Sequence, residues 1–165
     1  MATVNEFLDE LEREAHATRR VLENVPPDQL AWKPHEKSMS LGRLAMHVAR
    51  LPEAILELSM QPVFDVTTPI PMPEATGLPE LLDAFEQSLA RARTLLGGMT
   101  DAELKQPWRA VAGDQVVMDV PRGAMLRSIL LNHWYHHRGQ LTVYLRQTGA
   151  RVPATYGNSA DERPL

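Results

Sequence analysis

Leu126, Ile129, Leu130, His133, His137, Gln140, Leu141 and Tyr144 follow the i, i+3, i+4, i+7 rule of a helix that turns one face to a core. The pattern predicts a helix from about Pro121 to Thr148, about 42 Å long at the standard rise and stopped by Gly149. A rod of that length stays folded only if other elements cover its apolar face. The rest of the chain supplies them.

Phe7, Leu8, Leu11, Ala15, Thr18, Val21 and Leu22 repeat at helical spacing between Thr3 and Asn24, with Thr3 and Glu6 placed as a capping box. Asn24-Val25-Pro26-Pro27 ends that helix, and Pro27–Leu30 reads as one short helical turn. Ser38 or Ser40 can cap a second helix along Leu41, Leu44, Ala45, Val48, Leu51, Ile55 and Leu58. Pro52 should kink this helix by clashing with the preceding turn near Val48, one residue past His47. With Pro52 just before, residues 61–79 account for six of the thirteen prolines and read as a crossover loop. A third helix runs from Leu78 to Leu96 and stops at Gly97-Gly98. Thr100–Glu103 reads as a further capping box, and residues 111–117 as a small hairpin around Gly113-Asp114. The expectation is an all-α chain, a four-helix bundle with one long crossover.

A chain of 165 residues with 44% hydrophobic content suits one globular domain spanning 1–165. Seventeen basic and 21 acidic residues are interspersed to a net charge of −4, so the basic excess that nucleic-acid phosphates demand is missing. The first 25 residues lack the apolar core of a signal peptide, and no stretch reads as a membrane span, so the expected compartment is the cytoplasm. Without cysteine, any metal must be held by nitrogen and oxygen.

Half of the six histidines fall within five residues of the last helix, His133, His136 and His137. Positions four apart lie one above the other at about 6 Å, so His133 and His137 can converge on one point. Joined by His47 from the second helix, they would form a facial ligand set that leaves positions for water or substrate. His136 lies on the flank of the seam. The competing reading is that these are core imidazoles bonded to carbonyls or carboxylates. His16 and His35 read as surface residues, and Trp32, Trp108 and Trp134 as core or loop packing. Arg138 could orient an anion or serve as a solvated or capping residue, and Glu12-Arg13-Glu14 and Arg19-Arg20 read as a solvated helix face. No Glu-x-x-His pair of a di-iron carboxylate site and no His-Glu-x-x-His of a zincin occurs.

Three segments, Ser38-Met-Ser-Leu-Gly-Arg-Leu-Ala-Met-His47, His133-x-x-x-His137-Arg-Gly-Gln-Leu141-Thr-Val-Tyr-Leu145 and Val152-Pro-Ala-Thr-Tyr-Gly-Asn-Ser-Ala-Asp-Glu162, resemble the DinB/YfiT-like superfamily. The resemblance implies an up-down-down-up four-helix bundle, often a homodimer, with one divalent ion, zinc or nickel, held by three histidines. Carried over, these are His47, His133 and His137. It also implies a metal-dependent enzyme of small molecules: characterised relatives include thiol S-transferases and an isomerase that use bacillithiol, mycothiol or glutathione. The family name records induction after DNA damage, a stress response, rather than contact with DNA. Asn158 stands where the family's tail commonly has proline, and Pro52 is a second departure. Arg138, Gln140, Tyr156 and His136 are candidates for supporting the ligands or touching substrate. The alternative from another class is a non-catalytic bundle that binds a metal or small ligand as sensor, store or structural brace.

Overall fold

The computed structural model describes residues 2–163. Helix α1 is Val4–Leu22, and its first turn is closed by the Thr3–Glu6 capping box. The Glu6 amide donates to Thr3 Oγ1 at 3.2 Å, and the Thr3 amide to Glu6 Oε2 at 2.7 Å. The buried stripe Phe7, Leu11, Ala15, Thr18, Val21 and Leu22 is the one that helical periodicity requires. After a single 3-10 turn at Pro27–Gln29, Ser40 caps helix α2, Leu41–Ser59, by accepting from the Arg43 amide at 3.2 Å. Helix α3 is Leu78–Gly97.

The start of α2 is pinned from both sides. The Gly42 amide donates to the Leu30 carbonyl at 2.8 Å, and the Ala75 amide donates to the Gly42 carbonyl at 3.3 Å. A Cβ at Gly42 would meet Leu30 Cβ at 3.1 Å and the Ala75 carbonyl oxygen at 3.2 Å, so a residue with no side chain lets three segments close here.

The predicted last helix is one helical path, but not α throughout. It begins as α5, Arg122–Met125, widens to a π-helix over Leu126–Asn132, and continues as α6, His133–Gln147. Backbone dihedrals at both joints stay right-handed helical. The Ser128 hydroxyl donates to the Ala124 and Met125 carbonyls at 3.1 and 3.3 Å, which draws acceptors from the α ladder in the wide segment. The wider winding moves the inward face: Leu126, Leu130 and Leu131 are buried, whereas Ile129, on the seam that α periodicity predicts, is only partly buried.

The expectation of an all-α chain is corrected. The fold is mostly helical but carries a three-stranded sheet in the order β1-β2-β3, with β1 at Val63–Asp65, β2 at Pro107–Ala112 and β3 at Gln115–Pro121. Strands β2 and β3 enlarge the expected hairpin around Gly113, whose φ of 60° suits the turn. Strand β1 pairs in parallel with β2, Val63 opposite Arg109 and Asp65 opposite Val111. Three residues inside a proline-rich crossover show no alternation to read. Their order comes from a ladder to residues more than forty positions later. The short helix α4, Asp101–Leu104, follows the second capping box and precedes the sheet.

Helix α2 packs on α3 and on α6, and α1 packs on α3. One apolar cluster joins these elements, with Phe85, Trp108 and Trp134 among its largest fully buried side chains. Each such side chain contributes about 1.5–3 kcal/mol of burial free energy relative to exposure. No helix among the described residues is long and apolar enough to cross a membrane.

Candidate metal centre

His47 projects from α2, and His133 and His137 from successive turns of α6. Their ring centroids lie 4.5 Å apart for His47 and His137, 4.5 Å for His133 and His137, and 5.3 Å for His47 and His133. One ring nitrogen from each falls within 4.8 Å of the others, so the three can share one ion. Among the described residues no other histidine or carboxylate joins this group.

The hydrogen bonds around the rings decide which nitrogens are free. His137 Nδ1 meets Gln140 Oε1 at 2.7 Å, an acceptor, so Nδ1 carries the proton and Nε2 keeps its lone pair. At His133 the Ile129 carbonyl, one turn back, works against the effect of burial. The Nε2 atoms of His133 and His137 face each other at 2.7 Å. The lone pair of His137 Nε2 is met there either by a proton on His133 Nε2 or by a cation that both rings share. Three imidazoles converging on one point fit a metal ion, and Nδ1 of His137 is held as in many metal-ligating histidines.

Burial acts in the same direction. It pulls the His47 imidazole down to about 4, helped by its His137 and His133 neighbours and by the Arg43 cation. Burial also lowers His133 and His137, against the opposing hydrogen bonds from Ile129 and Gln140. All three rings are thus neutral at pH 7, the form that binds a metal without first losing a proton.

The other candidates separate into two groups. Gln140 touches His137, and His136 is exposed with its ring 4.9 Å from that of His137. Arg138 and Tyr156 belong to a different cluster. Arg138 is 2% exposed and donates to the Glu14 carboxylate at 2.6 Å, the Glu14 carbonyl at 3.2 Å and Thr18 Oγ1 at 3.1 Å. Tyr156 bonds both Arg138 and Glu14. The solvated reading of residues 12–14 is therefore corrected at Glu14, whose side chain is 12% exposed and paired. Arg19 and Arg20 are half-buried and pair with Glu86 and Glu162. His16 and His35 are exposed, as expected.

Two aromatic side chains tie the loop before α2 to α6. Tyr144, two turns beyond His137 on α6, meets Trp32 edge to face with centroids 5.4 Å apart. Its hydroxyl reaches the Met39 carbonyl at 3.4 Å, so the loop before α2 closes over this end of α6.

The support given to His137 by Gln140 has a measurable consequence. Gln140→Leu is expected to weaken divalent-metal binding about 10- to 100-fold, the usual effect of losing a residue that orients a ligand. Chelator competition reads it, and an unchanged affinity would show that the Gln140 contact does not orient the ring.

The fold and this cluster together define a mostly helical domain in which two helices converge three histidines on one point. The chain belongs to the DinB family, whose model matches residues 1–163. It is 31% identical over 164 residues to the uncharacterized protein YrdA of Bacillus subtilis strain 168, covering 97% of this chain and 92% of that protein. Among solved structures, a DinB-like protein from Bacillus cereus superposes with a TM-score of 0.72 at 25% identity, over 93% of this chain and 98% of the other. A DinB-like protein from Bacillus subtilis, YjoA, follows at a TM-score of 0.61 and 19% identity over 94% and 93% of the two chains, and shares the fold.

Proposed function

We propose that this protein is a metal-dependent enzyme acting on a small molecule, with His47, His133 and His137 holding one divalent ion, zinc or nickel. The observation that carries the reading is the convergence of three neutral imidazole nitrogens within 4.8 Å, without a fourth protein ligand in the group among the described residues. When bound, the ion supplies the Lewis acidity that makes a thiol or water nucleophilic near neutral pH. The three histidines would hold it, while Gln140 keeps the His137 ring proton on Nδ1, away from the shared point. A low-molecular-weight thiol as cosubstrate, transferred to an electrophile, is the reaction class we favour, and it needs no cysteine from the protein. The reading includes a cytoplasmic homodimer with a role in stress response. It also includes an up-down-down-up bundle, supported by the packing of α1 on α3, α3 on α2 and α2 on α6.

Elemental mass spectrometry on untagged protein tests the centre. Near-stoichiometric metal is expected in the wild type and none in His47→Ala, His133→Ala or His137→Ala. A wild type that stays empty after supplementation with zinc, nickel, manganese and iron would overturn the proposal. Loaded protein is then assayed with thiols and electrophiles.

A further inference from the structure

Pro52 sits in the interior of α2, where it has no N–H to give to the Val48 carbonyl one turn back. That carbonyl is not left empty. The indole Nε1 of Trp134 donates to it at 2.9 Å, from a side chain that is 0% exposed. The next amide of α2, that of Glu53, donates to Ser88 Oγ on α3 at 3.1 Å, and Ser88 is also fully buried. The break in α2 is therefore completed by two neighbouring helices, each through one side chain.

The position of the first of these bonds matters. Val48 directly follows His47, and Trp134 directly follows His133. The bond joins α2 to α6 at the residue next to a candidate ligand on each side. A helix with an intact ladder would have its Val48 carbonyl occupied by its own residue 52, and the rotation and height of α2 against α6 would rest on apolar packing alone, which is less directional than a buried hydrogen bond.

We propose that Trp134 is a positioning residue of the three-histidine centre, its indole using the carbonyl freed by Pro52 to set His47 in register with His133 and His137. This rests on the metal reading above. A merely structural role, in which the indole only satisfies a buried acceptor, makes a different prediction, and the Pro52→Ala change separates the two because it restores an amide that can bond Val48 within α2.

The test uses cobalt(II) as probe, with affinity from chelator competition, geometry from the visible absorption spectrum, and stability of the metal-free protein from denaturant titration. Trp134→Phe is expected to lose stability and to bind about 10- to 100-fold more weakly, with an altered spectrum. Trp134→Phe combined with Pro52→Ala is expected to recover stability but not affinity. Ser88→Ala, which unpairs the neighbouring amide on the α3 side, is expected to lose stability with affinity unchanged. Recovery of wild-type affinity in the double variant, or equal losses of affinity in Ser88→Ala and Trp134→Phe, would overturn the proposal. Should Trp134→Phe alone fail to fold, the double variant carries the test, and wild-type affinity there has the same meaning. Wild-type protein that binds no cobalt would overturn the metal reading and this one together, whereas binding in the wild type with no loss in the variants overturns this one only.

Discussion

Arg138→Met is expected to destabilise the fold by about 3–5 kcal/mol, the range for removing one partner of a buried ion pair. The guanidinium is enclosed, and its side chain and that of Glu14 are 3% and 12% exposed, so solvent does little to screen the pair. Methionine keeps the stem and some of the packing but leaves the Glu14 carboxylate with only the Tyr156 hydroxyl at 2.7 Å, and Thr18 Oγ1 without its donor. The cost is large against the about 5–15 kcal/mol by which domains are usually stable, so a shifted urea midpoint at unchanged slope reads it directly. Glu14→Gln should also destabilise the fold, because its amide oxygen can still accept from Arg138 but leaves the enclosed guanidinium without a counter-charge. A loss below about 1 kcal/mol in Arg138→Met would mean that the cluster is dispensable for the fold, in contrast to exposed pairs such as Arg91–Glu57, for which about 0–1 kcal/mol is the expectation.

The second large effect is metal-dependent stability. Under the proposed reading, zinc held at about 1,000 times its dissociation constant adds about 4 kcal/mol by mass action, because the unfolded chain does not hold three imidazoles together. For a protein of this size that corresponds to a rise in Tm of about 8–16 °C, at about 2–4 °C per kcal/mol. A chelator should return the metal-free value. His133→Ala removes a ligand and should abolish the rise while leaving the metal-free Tm near that of the wild type, since the side chain is only half-buried. An equal rise in His133→Ala would place the stabilising ion elsewhere on the protein.

Local chemistry carried much of this fold into the sequence. The stripes of α1, α2 and α3 and both capping boxes depend on residues three or four apart, so a linear string displays them. The same holds for the His133 and His137 pair, which one helix brings together whatever surrounds it. Pro52 likewise announces a broken ladder wherever it stands in a helix.

Everything that needs two distant segments was decided by tertiary structure. Strand β1 exists because Val63–Asp65 finds β2, and three residues carry no pattern that foretells it. Glu14 looks like part of a charged surface run until Arg138 reaches it from α6. The break at Pro52 was legible, but which group would fill it was not, since nothing in the order of residues places Trp134 beside Val48. His47 is the clearest division. Its helix and its face follow from apolar periodicity, whereas its distance from the α6 pair is set by how α2 lies on α6, and a sequence records periodicity along one axis rather than the packing of two.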